Sequence, residues 1–382
     1  MRKVKSKFFI KAALLLLIVC SVSTCIEEIE TNSFSYDKLL VVDGNISDVA
    51  KTHEIRLFYT TPVGTDLDDV NNALFNAEVW VEDDMGNITT FTETEPGTYK
   101  SPVNFAGERG RSYALFITTS EGKRYQSSFE ELVEAPDIGP IYNRFKVENG
   151  DGEATSIPGV QFFMDADNAD QSTQFFRYEW TDTHQIIVPY IKNYEYVIGP
   201  DGRGEIVPFT RDVRECYRES RFNELILATS ATNENGQLRE VPIKFASAYT
   251  FDVTTAYSLE VTQRAISAEA YSYYRKIELF NESNGTLFDK QQGMIIGNIT
   301  SIDDPDERVL GYFEVSGAKS KRIFLDLSEL DEPIFDYLNR TCSIYPAYNY
   351  DGSINGFYQA LDLEESVRGS EISRRSFYEL YD

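Results

Sequence analysis

The sequence predicts a mainly β protein built as two β-sandwich-like domains, the second with one inserted α-helix. Three observations predict it. Aromatic residues make up 13% of the 382, as 25 Phe and 24 Tyr against 2 Trp, and ring side chains on a polar background favour strands. Short segments alternate apolar and polar residues and are parted by turn residues. One later stretch carries the helical period instead.

The first domain is expected over 37–135. Leu39 to Val42 precedes Asp43-Gly44, and Ile55, Leu57 and Tyr59 alternate with Glu54, Arg56 and Phe58. Ala77, Val79 and Val81 alternate with Glu78, Trp80 and Glu82, so Trp80 points away from the apolar face; Met85-Gly86-Asn87 then turns the chain. Pro96-Gly97 opens a segment through Tyr99. Tyr113, Leu115 and Ile117 share a face, and Glu121-Gly122-Lys123 closes a hairpin. Strands at this spacing predict a sandwich of about seven. Glu134-Ala135-Pro136, followed by Gly139-Pro140, reads as a linker.

The second domain is expected over 136–340. Val160, Phe162 and Met164 alternate, as do Phe176, Tyr178 and Trp180. Ile186 to Val188 and Tyr194 to Ile198 flank the turn Gly199-Pro200-Asp201-Gly202, and further strands are expected at Leu225–Ala228, Ser258–Thr262, Val309–Val315 and Arg322–Leu327. The helix is expected near 267–283. Ser267 can cap it, Ala270, Tyr273, Tyr274, Ile277 and Phe280 form its apolar stripe, and Asn284-Gly285 can end it. Residues 341–382 form a Tyr-rich tail without clear period, expected to be partly ordered.

Residues 1–24 have the layout of a signal peptide: Arg2, Lys3, Lys5, Lys7 and Lys11, an apolar run from Phe8 to Val19, then Ser21 to Thr24. The run is shorter than the roughly 20 residues a transmembrane helix needs, and an N-terminal membrane anchor that stays on is the alternative. Cys25 follows directly, and Val22-Ser23-Thr24-Cys25 resembles a bacterial lipobox, with ordinary signal cleavage as the alternative. Lipid on Cys25 would anchor the chain, and residues 25–36 would be its tether. The acidic Ile26 to Glu30 resembles a lipoprotein surface-export signal, or else is a solvated spacer.

Composition excludes several classes. The formal net charge is −26, and removing residues 1–24 leaves −31, so nucleic acid is not an expected partner. Two His, His53 and His184, and four Cys leave little for a zinc site, and no metal or other cofactor is expected. There is no Gly-x-Ser-x-Gly elbow, no His-Glu-x-x-His and no Gly-rich phosphate loop. Asp165 to Asp170 looks like a calcium loop, but Asp170 stands where the EF-hand needs Gly; a solvated loop is the plainer expectation there and at Asp303 to Glu307. A carboxylate pair for glycoside hydrolysis is neither supported nor excluded by 62 acidic residues. With Cys20 removed and Cys25 lipidated, Cys216 and Cys342 remain. An even pair in an exported chain predicts a disulfide, against two buried free thiols. Trp80, Tyr345 and Tyr348 are the candidate binding surface, because exposed amphipathic rings suit interfaces; burial of Trp80 under a loop or the other domain is the plainer expectation, and packing across the second domain is the alternative for the tyrosines.

Several stretches in fixed order resemble a family: Leu40 to Ile46, Ala77 to Asp83, Pro96 to Tyr99, Gly110 to Leu115, Cys216-Tyr217, Ile266 to Tyr271, Gly297 to Ile299 and Val309 to Phe313. They are similar to the Bacteroidetes outer-membrane lipoproteins grouped as domain of unknown function 4249. The resemblance implies a lipid-anchored outer-membrane protein, on the periplasmic or cell-surface face, in the company of TonB-dependent receptors. It also implies that the first domain is similar to immunoglobulin-like or transthyretin-like modules, and it carries no catalytic residue. The expected function is a non-catalytic accessory or docking partner of a TonB-dependent β-barrel transporter. The alternative is a surface lipoprotein that captures a glycan or peptide for uptake, with a glycoside hydrolase third.

Overall fold

In the computed structural model, described residues run from 38 to 361 apart from 63–71, 150–155, 168–172, 188–193, 201, 209, 211–214, 222–223, 234–235, 249–252, 254–255, 283–294, 326–341 and 349–353. Side chains beyond residue 325 lie outside the description. Among the described residues the fold is mainly β, with large sheets, no barrel and a sandwich-like arrangement.

Eight strands fill the first third of the chain: β1 (Leu40–Ser47), β2 (Glu54–Tyr59), β3 (Glu78–Asp83), β4 (Ile88–Glu95), β5 (Thr98–Lys100), β6 (Ser112–Thr118), β7 (Arg124–Ser127) and β8 (Glu130–Glu131). Then come β9 (Ile138–Asn149), β10 (Ser156–Asp167), β11 (Phe175–Ile187), β12 (Tyr194–Ile198), β13 (Gly204–Pro208), β14 (Glu215–Arg221), β15 (Ile226–Thr229), β16 (Gln237–Ser247) and β17 (Tyr257–Ala265). Helix α1 (Ala268–Glu282) follows, then β18 (Ile299–Ser301), β19 (Val309–Phe324), β20 (Cys342–Tyr348) and β21 (Ile354–Leu361).

The principal sheet has the order β14-β11-β17-β19-β1-β2-β5-β4-β3-β6-β7-β18. Two strands change partner along their length. The first half of β4 pairs with β3 and the second with β5, so strands on both sides of β4 line one core. The first half of β19 runs parallel to β1 and the second antiparallel to β17. Gly311 lies at the parallel crossing at φ +96°, and a Cβ there would overlap the carbonyl of Val42.

The alternation seen in sequence is the alternation of burial. In β2, Ile55 and Leu57 are buried between exposed Glu54 and Arg56, and in β3, Val79 and Val81 are buried beside half-buried Trp80. The first core joins Val42, Leu57, Val79, Tyr99, Leu115 and Tyr125. Ile299, Val309, Phe313 and Val315, from the stretch expected within the second domain, are also in it. The second core lies between β11 and β17 of the principal sheet and a separate sheet of order β16-β10-β9, around Phe162, Phe176, Tyr178 and Leu259. The stretch read as a linker is tied down. Val133 accepts a hydrogen bond from the Gly317 amide, Pro136 accepts one from the Gln263 side chain, and Gly139 and Pro140 lie within β9.

Candidate functional site

A cleft beside α1 is built from the helix start upward. The Ser267 hydroxyl accepts a hydrogen bond from the Ala270 amide at 3.0 Å, which caps the helix. That hydroxyl donates to Glu130 at 2.6 Å. Glu130, buried on the short strand β8, also accepts from the Tyr312 hydroxyl at 2.8 Å, from Ser128 at 3.1 Å and from the Asn298 amide at 3.4 Å. Asn298 is fixed in turn by two 2.9 Å bonds with the Phe313 backbone. One carboxylate therefore gathers β8, the helix cap, the segment before β18 and β19. Beside it opens a cavity of about 430 Å³, walled by Glu269, Ser272, Tyr273 and Lys276 of α1 and by Ile296 to Asn298. Burial raises the Tyr312 hydroxyl above the usual tyrosine range, and the neighbouring Glu130 charge adds to it.

Beneath the helix lies a closed ring of charge. Arg177 of β11 donates two hydrogen bonds to Glu314 of β19, at 2.7 and 3.1 Å, and contacts Glu179 at 2.8 Å. Arg264 of β17 grips Glu179 at 2.9 and 3.1 Å and reaches Ser316, which donates to Glu314 at 2.9 Å. Burial pushes the Glu314 carboxyl up, but the Arg177 charge and its hydrogen bonds outweigh that and hold it at about 2. The Tyr274 ring of α1 covers the Arg177 guanidinium at 5.2 Å. Two arginines and two glutamates cancel, so the ring is a rigid floor rather than a reactive centre.

The second feature is a surface. Along the hairpin of β12 and β13, Tyr194, Tyr196 and Ile198 fall on one face with Ile206, opposite Tyr196. These four are 65%, 70%, 72% and 70% exposed. A Cβ at Gly204 would overlap the Tyr196 ring, so the missing side chain is what lets that ring lie across the strand.

The residues singled out in sequence fare differently. Cys25 lies outside the described residues. Cys216 is an exposed free thiol on β14, its Sγ 3.8 Å from the Ile186 carbonyl. Cys342 pairs with Leu361 in the β20–β21 hairpin, but its side chain is outside the description. Tyr345 faces Tyr358 in that hairpin and Tyr348 faces Ile354, again without described side chains. Trp80 does lie off the apolar face, but its ring stacks on Phe116 of β6 at 5.4 Å and 5°, so a neighbour of the same sheet takes one of its faces. His53 is buried, its Nε2 within 3.2 Å of the Val49 carbonyl and 3.1 Å of that of Phe105. Burial, aided by the Lys51 charge, lowers it to about 4. His184 is buried on β11. Asp165 is engaged by the Tyr142 hydroxyl and the Glu240 amide, and in the other acidic loop Asp303 is paired with Arg124 and Glu307 with Lys123. No group of three or more His, Cys, Asp or Glu able to hold a metal occurs among the described residues.

Sequence reasoning found the helix and its cap but not the cleft, because Glu130 and Asn298 meet only through tertiary contacts. For the charge ring beneath the helix a faint signal was present: Glu314 is a charged residue inside the apolar run from Tyr312 to Val315. The hairpin strand at Tyr194 to Ile198 and its turn were legible, but not that its face stays open.

These features define a class: a mainly β protein with two cores joined through one sheet, an aromatic-rich open hairpin and a helix-walled cleft. The particular family follows from comparison with family models. The one described as Domain of unknown function (DUF4249) matches residues 26–322, and the chain belongs to that family. No curated protein matches it. Among solved structures, one similarity is to a chain reported under "Complete structure of manganese lipoxygenase of Gaeumannomyces graminis and partial structure of zonadhesin of Komagataella pastoris". It has 10% identity and a TM-score of 0.15, over 75% of this chain and 97% of that one, and carries no argument about fold or function. Among the described residues, no helix is long and apolar enough to cross a membrane.

Proposed function

We propose that this chain is a non-catalytic lipoprotein of the Bacteroidetes outer membrane, held there by lipid on Cys25, that docks on a β-barrel transporter of the TonB-dependent kind. The observation that carries the docking is the β12–β13 hairpin, with Tyr194, Tyr196, Ile198 and Ile206 on one open face. Single exposed apolar residues are ordinary, but four on one small face are the makings of an interface. Tyrosine is enriched at such contacts because its ring is apolar and its hydroxyl keeps a polar partner. The acidic body does not favour adhesion to anionic lipid, so the lipid anchor supplies membrane attachment and the hairpin supplies partner choice. The alternative, glycan or peptide capture, gains nothing from Trp80, because Phe116 occupies one of its ring faces.

The test is purification of the full chain, anchor intact, from its own outer membranes after crosslinking, with the partners identified by mass spectrometry. A β-barrel transporter is expected with the wild type and lost with a Tyr196→Asp, Ile206→Asp double variant. Retention of the same partner by that variant, or a mature N-terminus other than a lipid-bearing Cys25, would overturn the corresponding half of the proposal.

A further inference from the structure

Four acidic residues are buried among the described residues: Asp83, Glu130, Asp182 and Glu314. Three have a cation against them, Asp83 with Arg111, Asp182 with Lys244 and Glu314 with Arg177. Glu130 alone has none among the described residues. Its hydrogen bonds come from the hydroxyls of Ser267, Tyr312 and Ser128 and the amide of Asn298, all neutral. The N-terminus of α1 faces it through Ser267, but a helix end supplies only about half a positive charge. Hydrogen bonding to Glu130 is thus satisfied while its charge is not fully offset, and buried charges are normally paired.

Glu130 is also the one of the four that lines the cavity beside α1. At about 430 Å³ that cavity is large enough for one sugar ring or a dipeptide. The exposed Glu269 adds a second acid at its wall, and Tyr273 and Tyr312 are among the lining residues, their rings packed on each other at 5.0 Å. A metal ion fits poorly. Calcium asks for six to eight oxygens, and no group of three or more His, Cys, Asp or Glu able to hold a metal occurs among the described residues. An ammonium needs only one further acceptor, and Glu130 Oε2 accepts from Ser267 alone. Lys276 lies seven residues beyond Glu269 on the helix, about 10 Å along its axis, and places the cleft's own positive charge toward the far end.

We propose that this cleft binds a protonated primary amine, carried by an amino sugar or by the N-terminus of a short peptide, with the ammonium at the Glu130 end. The site is separate from the docking hairpin, so hairpin variants leave it unchanged.

The test is isothermal titration of the full mature chain in detergent at pH 6.5 with four probes: glucosamine, N-acetylglucosamine, alanyl-alanine amide and N-acetyl-alanyl-alanine amide. Saturable binding is expected for at least one free-amine probe, about tenfold tighter than for its acetylated counterpart, as loss of a charge-assisted hydrogen bond implies. The arm that responds identifies the source of the amine. Glu130→Gln should weaken that binding by about tenfold. Because Glu130 also gathers four elements, that variant could fail to fold, and Lys276→Glu on the exposed helix face then carries the test. Replacing a repelling charge with an attracting one should tighten the same probe several-fold. Equal binding of free and acetylated probes, no saturable binding in either arm, or an affinity indifferent to Lys276→Glu would each overturn the proposal.

Discussion

The first core, around Val42, Leu57, Val79, Tyr99 and Leu115, is apolar almost throughout, whereas the sheet at β11, β17 and β19 buries Arg177, Arg264, Asp182 and Glu314. Both regions belong to one sheet, and β19 passes from the first to the second. The difference follows from what covers each face. The inner faces of β1 to β7 meet one another and apolar residues of β18 and the first half of β19, so alternating aliphatic and aromatic residues suffice. At β11, β17 and β19 one face meets the second core and the other lies under α1, where Tyr274 covers Arg177. Charge buried there is compensated pair by pair. Apolar packing tolerates small shifts, while a bidentate arginine–glutamate contact does not. The helix and its cleft therefore stand over the part of the sheet with the most exacting geometry.

The largest test of that contrast is Glu314→Ala. It leaves Arg177 buried beside a single remaining glutamate shared with Arg264, and removing one partner of a buried pair costs about 3–5 kcal/mol. Leu57→Ala in the first core should cost about 2–5 kcal/mol by cavity formation alone. Urea denaturation measures both. The charge ring departs from the apolar core in a second respect: Arg177→Met with Glu314→Leu should recover much of the loss, because paired apolar replacement removes the stranded charge. If Glu314→Ala costs under about 1 kcal/mol, the ring is solvated and the contrast fails.

A finer test uses pH, because the two regions carry titrating groups with separate windows. His53, whose ring meets Phe105 edge-on at 5.6 Å beside the first core, is lowered from 6.5 to about 4. The unfolded chain takes up that proton first, so this contribution is complete above about pH 6.5 and falls away toward pH 4, by about 3 kcal/mol at most. Glu314 is lowered from 4.5 to about 2, so its contribution is complete above about pH 4.5 and falls away toward pH 2. Stability against pH should therefore decline in two steps. His53→Gln should flatten the upper step and leave the lower one. An unchanged slope between pH 6.5 and 4.5 would show that other groups set it.

How much was visible beforehand follows the same division. The alternation of Ile55, Leu57, Val79 and Val81 was legible because a sheet with one buried face imposes a period of two on its own sequence. The helix was legible from Ser267 and the stripe through Ala270, Tyr273 and Tyr274, though the stripe runs out into solvent at Phe280. The parallel crossing of β1 and β19 was not, since its strands lie some 270 positions apart and only Gly311, with its positive φ, betrays the close approach. The charge ring and the Glu130 cluster escaped for a similar reason. A buried Arg or Glu in a strand looks like a surface residue until its partner, 137 positions away in the case of Arg177 and Glu314, is known.

The smallest expected effect on stability falls on the hairpin, and it separates a surface built for contact from one built for the fold. Tyr196→Asp with Ile206→Asp removes two side chains that are 70% exposed, and among the described residues the hairpin pairs only with itself. Surface substitutions away from caps, cores and ion pairs usually stay within about 0.5 kcal/mol, so the global unfolding midpoint should hardly move. An isolated two-stranded hairpin is at best marginally stable in water. Its amides in residues 194–208 should therefore exchange with deuterium far faster than those of β1 or β11 in the isolated chain, and slow down once a partner covers the Tyr196 face. The variant should lose that slowing and nothing else. Strong protection of this hairpin in the isolated chain, abolished by the two substitutions or by dilution, would instead mean that copies of the chain cover one another's open face, and the apparent contrast between core and surface would be one between two buried regions.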